Sequence, residues 1–103
     1  MASSMRARIC WVSPDDGGRS TIPPGPTYST AARFERLRER WPHEAWSIVA
    51  EFLSPPDENG CFDARVRLLN SEGPPDLLTI GSQFDLFEGA RLVARGTVTG
   101  AEP

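Results

Sequence analysis

The chain has 103 residues, 39% of them hydrophobic and 24% charged, which suits one soluble domain with its own apolar core. Its net charge of −3 argues against broad, nonspecific binding of nucleic acid, which depends on a surplus of positive charge. No stretch approaches the roughly 18 apolar residues of a membrane span, and the N-terminus lacks the apolar core of a signal peptide. We therefore expect a cytoplasmic protein without a membrane segment.

The two cysteines, Cys10 and Cys61, do not belong to a CxxC pair. In a cytoplasmic protein such isolated cysteines are expected to be free thiols. Together with the single histidine, His43, they would supply three scattered ligands, so we expect no metal site and no cofactor.

The first predicted strand covers residues 6–12, where Ala7, Ile9 and Trp11 alternate with polar neighbours. An acidic, glycine-bearing turn at residues 15–18 ends it. Residues 22–27 contain three prolines, which remove backbone donors and predict an ordered loop.

Residues 28–41 fit two patterns. Alternation from Tyr28 to Phe34 is typical of a strand, whereas Phe34, Leu37 and Trp41 have helical spacing. We predict a strand to about Phe34 and then one or two helical turns over residues 35–41, ending before Pro42.

Four more segments alternate as strands do. Residues 46–53 and 61–69 are separated by two prolines and an Asn-Gly turn signal, and residues 83–87 and 92–99 flank a hairpin turn at Gly89. Six short strands without long helices favour a closed antiparallel barrel or a compact sandwich. We place the single domain at residues 6–99, with frayed tails at 1–5 and 100–103.

Two motifs carry a family resemblance. Residues 15–21, Asp-Asp-Gly-Gly-Arg-Ser-Thr, follow the first strand, and a second set lies near the C-terminus at matching spacing: Gly81, Phe84, Glu88, Gly89, Arg91, Val93, Gly96 and Val98. In both, the chain resembles the third, C-terminal domain of bacterial elongation factor Tu. The resemblance implies an all-β, six-stranded antiparallel closed β-barrel standing alone as a single domain.

The chain also departs from that family. It has no GxxxxGK[ST] phosphate loop, so we expect no GTP binding. The family's Gly-Tyr-Arg-Pro step is replaced between Pro26 and Phe34, where only Tyr28 and Phe34 match. The loss of the Arg-Pro step argues against inherited binding of transfer RNA.

The Gly-Gly-Arg loop has two interpretations. Its glycines and Arg19 could bind an anion, with Thr21 nearby, or Arg19 could bond carboxylates or loop carbonyls and serve structure. The neighbouring Asp15 and Asp16 repel anions and favour the structural role. The residues assigned to structural turns are Asp16, Gly17, Gly18, Gly81, Glu88, Gly89 and Gly96.

A basic cluster of arginines at 33, 36, 38 and 40 lies beside Trp41 and could contact RNA. Interleaved glutamates instead indicate a solvated, ion-paired face. Trp41 and Phe87 fit no buried face and, if exposed, would mark a contact surface. The residues predicted to bind a partner are Arg19, Thr21, Arg33, Trp41, Phe87 and Arg91.

We find no catalytic constellation and expect a non-catalytic module that binds a protein partner. An RNA-binding protein linked to translation is the alternative, and a small hydrolase using His43 is a third hypothesis. The sequence leaves the oligomeric state open.

Overall fold

The computed structural model describes residues 4–102, which form a closed barrel of six antiparallel strands. The strands are β1 (Met5–Trp11), β2 (Thr27–Phe34), β3 (Trp46–Phe52), β4 (Cys61–Leu68), β5 (Gln83–Glu88) and β6 (Arg91–Ala101). Around the barrel the order is β1-β4-β3-β2-β5-β6, and β6 pairs back onto β1. The predicted all-β closed barrel is confirmed, and the sandwich is wrong because no sheet edge remains open.

The barrel interior is filled by the alternate residues that the sequence pattern placed there. Ile9, Ile48 and Val66 are at most 1% exposed, and the polar residues between them face outward. The largest fully buried side chains are Phe34, Phe62, Phe84, Ile9, Ile48, Leu86, Val66, Val93 and Val98. One contiguous apolar core therefore stabilises the whole domain.

Gly96 creates the space for one of these aromatic side chains. A Cβ atom at this position would lie 2.4 Å from Cζ of Phe84, far inside contact distance. Phe84 packs in turn against Phe34, with 5.9 Å between ring centroids. Gly96 in β6 thus has a packing role.

Three short 3₁₀ helices lie between the strands, at Pro14–Asp16, Glu35–Arg40 and Pro75–Leu78. The second confirms the predicted change from strand to helical turn after Phe34, and it stops because Trp41 is extended before Pro42. None of the helices described in residues 4–102 has the length and apolar character needed to cross a bilayer.

β6 continues past residue 99, where the sequence pattern ended the strand. Gly100 pairs with Arg6 and Ala101 with Met5. The Glu102 carboxylate accepts hydrogen bonds from Arg6 Nε at 3.1 Å and Arg65 Nη2 at 2.8 Å. Pairing with β1 supplies the contacts that hold the C-terminal end of β6. Of the predicted tails, residues 1–3 and 103 lie outside the described residues.

Candidate functional site

The Gly-Gly-Arg loop is held by its own backbone hydrogen bonds. The N–H groups of Asp16 and Gly18 donate to the Ser13 carbonyl, and that of Gly17 donates to the Pro14 carbonyl. Gly17 has φ +93°, and a Cβ at Gly18 would lie 2.0 Å from the Val12 carbonyl oxygen, so both positions require glycine. These three N–H groups are therefore occupied within the loop and are not free to bind an anion.

Arg19 leaves this loop and crosses to the β5–β6 hairpin. Its Nε donates to the Thr21 carbonyl at 3.0 Å, and Nη1 donates to Glu88 Oε2, which also accepts from the Tyr28 hydroxyl. The hydrogen bond from Tyr28, followed by that from Arg19, lowers the pKa of Glu88. Burial, followed by the bond to Glu88, raises the pKa of Tyr28 to about 12.

The other residues predicted to form turns lie in the β5–β6 hairpin or just before β5. Gly89 has φ +61° in the hairpin, where Arg91 is exposed and pairs with Glu88 across the turn. Gly81 has φ +90°, and its N–H donates to the Val98 carbonyl at 2.8 Å. Thr21 is exposed in the loop and offers its carbonyl to Arg19.

The predicted contact residues Arg33, Trp41 and Phe87 lie together outside the barrel wall. Phe87 is only 9% exposed, because the Trp41 ring packs on it at 5.0 Å and the Arg33 guanidinium lies 5.0 Å from its ring centroid. Phe87 is therefore a buried support for its two neighbours, and Trp41 is half-buried.

The basic cluster is matched by carboxylates. Arg33 bonds Asp85 at 2.6 Å, Arg36 bonds Asp76 at 2.9 Å, and the pairs Arg38–Glu35 and Arg40–Glu44 measure 2.9 Å and 3.1 Å. The surface is an ion-paired face of the kind that the interleaved glutamates indicated.

Sequence reasoning missed an apolar groove at the barrel end where β1 and β3 finish. Its cavity of about 400 Å³ lies within the size range of ligand sites. We call it the apolar groove; its walls include Trp11, Ile22, Phe52, Leu53, Pro55 and Phe62. The signal is present as two proline-rich segments beside strand-end aromatic residues, but the sequence predicts only an ordered loop at residues 22–27 and a turn before β4, not that the two meet.

An aromatic cluster forms the floor of the apolar groove. Trp11 stacks on Phe62 at 5.5 Å and meets Phe52 edge-on at 6.3 Å. A Cβ at Gly25 would lie 2.7 Å from Phe52, so the proline-rich loop lies directly against this ring. Trp11 Nε1 is buried and has no hydrogen-bond partner within residues 4–102.

A second cavity of about 500 Å³ continues from the first and shares Trp11 and Ile22. Most of its exposed lining is apolar, but it also presents the polar side chains of Ser13, Arg19, Thr21, Glu58 and Asn59, and we call it the polar cleft after them. Of the predicted binding residues, the structure therefore places Arg19 and Thr21 at this end of the barrel. Arg33, Trp41 and Phe87 form a separate surface.

The expectation of free thiols is wrong: Cys10 and Cys61 form a disulfide. The residues are register partners on β1 and β4. Trp11 N–H donates to the Gly60 carbonyl at 3.0 Å, which makes the adjacent Cys10–Cys61 pair a position without ladder hydrogen bonds, where side chains approach closely. This register depends on barrel closure, so the spacing of the cysteines could not show it.

His43 is exposed in the loop before β3. Across the part of the chain that the structure describes, no group of three or more His, Cys, Asp or Glu residues could hold a metal ion. Comparison of the chain with protein-family models and with curated proteins finds no match.

Proposed function

We propose that the protein is a non-catalytic interaction module that binds an extended segment of a partner protein in the apolar groove. The observation that carries the proposal is the exposed aromatic and proline-lined cavity beside a polar cleft. Ile22, which is 49% exposed, lies at their junction and makes the apolar surface of the two cavities contiguous. Burial of such a surface drives most protein association.

The walls of the groove are held in place before any partner arrives. Phe52 N–H donates to the Pro26 carbonyl at 2.8 Å, which anchors the proline-rich loop to β3. Leu53 N–H donates to the Asp63 carbonyl, and Asp63 N–H donates to Ser54 Oγ, both at 2.9 Å. Because the loops of a preformed site are already ordered, binding a partner costs less free energy.

The charge around the polar cleft defines the chemistry of the partner segment. Asp15, Asp16 and Glu58 are exposed on the loops that form its two sides, and Arg19 on its wall is engaged by Glu88. We infer a segment with a large apolar side chain for the groove, followed by lysine or arginine for the cleft.

The ion pairing of the basic cluster supports a protein partner over RNA. Arg33, Arg36, Arg38 and Arg40 each have a carboxylate partner, so phosphate binding would first have to break these pairs. The likeness to the elongation factor Tu third domain is consistent with a module that works by contact with other proteins. This likeness rests on the two sequence motifs alone.

The proposal is tested by capture from the native lysate with matched variants. Wild-type protein, Ile22→Glu and Ile80→Glu are each immobilised; Ile80 is 69% exposed and does not line the groove, so it controls for surface charge. We expect one protein captured by the wild type and by Ile80→Glu and lost with Ile22→Glu. A peptide array of that protein should then locate binding in an apolar–basic segment.

Equal capture by all three forms would overturn the proposed site. Binding confined to acidic or wholly polar peptides would overturn the inferred chemistry. Recovery of RNA that depends on Arg33 and Arg36 rather than on Ile22 would favour the alternative function.

A further inference from the structure

The outer wall of the barrel carries a continuous row of charged residues and sulfur. Register places five residues side by side on five adjacent strands, in the order Arg33, Asp85, Arg95, Cys10 and Cys61. Cys10 thus has a guanidinium-bearing residue on one side and its disulfide partner on the other.

We propose that Cys10 and Cys61 are a redox-active pair that exchanges with small thiols and disulfides of the glutathione type, with Cys10 as the nucleophile. This activity is separate from partner binding in the apolar groove. The pair joins two adjacent strands and is half-buried on the outer face, a position in which a disulfide is open to exchange.

The pair is placed so that it can open and close within the folded barrel. Both cysteines are half-buried on the outer face, so a small thiol can approach the sulfurs. β1 and β4 are already paired over six positions from Met5–Val66 to Cys10–Cys61, and the Trp11–Gly60 hydrogen bond lies just beyond. Opening the S–S bond therefore removes no ladder contact.

The charges around the two sulfurs are asymmetric. Arg95 is 71% exposed, and its only carboxylate contact in the described structure is a 3.9 Å approach to Asp85. Asp85 is itself bonded by Arg33 at 2.6 Å, with Arg38 at 3.9 Å. Register thus places Arg95, whose charge is weakly compensated, next to Cys10 on the adjacent strand, and we take this neighbour as the ground for assigning the attack to Cys10.

Cys61 has the opposite surroundings. Asp63 follows two residues later on the same face of β4, and the Asn59 carbonyl lies 3.9 Å from Cys61 Sγ. Arg8, the other cation near the pair, is bonded by Asp57 at 2.6 Å and by Asp63 at 3.3 Å. Cys61 thus has a carbonyl oxygen beside its sulfur and a neighbouring cation that is already paired with two carboxylates, which fits a resolving cysteine.

The exchange is balanced in two steps. In the dithiol form, the Cys10 thiolate attacks one sulfur of glutathione disulfide, forming a Cys10–glutathione mixed disulfide and expelling one glutathione thiolate. Cys61, after loss of its proton to solvent, attacks Cys10 Sγ and expels the second glutathione thiolate. The protein dithiol is oxidised by two electrons, and one glutathione disulfide is reduced to two thiols.

The experiment compares single-cysteine variants. Reduced Cys61→Ser, which keeps Cys10, and reduced Cys10→Ser are mixed with glutathione disulfide at neutral pH, and mixed disulfide is followed by intact mass. We expect Cys61→Ser to react on the order of three- to tenfold faster. Adding Arg95→Gln should remove most of this advantage, whereas Arg67→Gln, an exposed change on β4 away from the two cysteines, should retain it.

A second measurement uses the wild-type protein, so its result does not depend on whether the variants fold. Reduced wild-type protein receives a short pulse of iodoacetamide, and peptide mapping reports which cysteine is alkylated first; we expect Cys10. Equal labelling, or faster labelling of Cys61, would overturn the assignment of the nucleophile. A wild-type mixed disulfide that persists without closing to Cys10–Cys61 would overturn the exchange itself.

Discussion

Arg19 and Glu88, 69 residues apart in the chain, form a hydrogen-bonded ion pair that joins the first loop to the β5–β6 hairpin. The two residues belong to the two motifs that stand out in the sequence, residues 15–21 and the glycine-bearing set from Gly81 to Val98. The Tyr28 hydroxyl bonds the same carboxylate oxygen, so three separated segments converge on Glu88. This junction fixes the loop that forms one side of the polar cleft.

The Arg19–Glu88 pair should stabilise the fold. We expect Arg19→Met to lower the Tm by a few degrees, because it leaves the half-buried Glu88 with one charge-assisted partner fewer. Arg40→Met removes a more exposed pair with Glu44 and serves as the control, with a much smaller change. Thermal unfolding followed by circular dichroism measures both. Equal shifts would contradict the structural role of Arg19.

Tyr28 should lose its proton only at unusually high pH, and the stability of the fold should therefore fall in alkaline solution. Its pKa is raised to about 12 from the ordinary 10.0, so its contribution is complete below pH 10 and is lost as pH rises towards 12. It is the only tyrosine, so tyrosinate absorbance reports it alone. We expect Tyr28→Phe to weaken this loss of stability between these pH values. A midpoint near pH 10 in the folded protein would contradict the burial of the Tyr28 hydroxyl together with its hydrogen bond to Glu88.

Gly96 should not tolerate a side chain. Gly96→Ala places a methyl group against the buried Phe84 ring and should cost about 1–3 kcal/mol of unfolding free energy. Gly100→Ala on the same strand meets no atom within 4 Å and should change stability by less than about 0.5 kcal/mol. Urea unfolding of both variants checks this, and similar losses at the two positions would show that strand propensity, not packing, explains the effect.

Reduction of the disulfide should lower stability without opening the barrel. The link joins residues 51 apart, so the chain-entropy model assigns it about 4 kcal/mol, acting on the unfolded chain. We expect an unchanged far-ultraviolet spectrum and a lower denaturant midpoint after reduction. Loss of the strand spectrum at room temperature would contradict a ladder that holds without the disulfide.

Much of the fold followed from local patterns. Alternation in β4 placed Phe62, Ala64 and Val66 inside, since every second residue of a strand shares a face. The change at Phe34 from strand to helical turn was also predictable. The alternation of apolar residues ends there and a helical spacing begins, and Pro42 limits the length of the turn.

Features that depend on distant segments were not predictable. Cys10 and Cys61 meet only through the β1–β4 register. The local pattern leaves Phe87 free to contact a partner, yet Trp41 and Arg33 pack on its ring and bury it. The apolar groove arises because two loops without periodicity are brought together over the same aromatic residues, and composition alone describes such loops as turns.

The most direct test of the binding site is photo-crosslinking from the groove in native lysate. A photoreactive amino acid is placed at position 22, and in a separate protein at position 80, and the crosslinked peptides are identified by mass spectrometry. The account predicts that position 22 crosslinks to one apolar segment flanked by lysine or arginine and that position 80 does not. Equal crosslinking from both positions, or crosslinks from position 22 to unrelated polar segments, would contradict it.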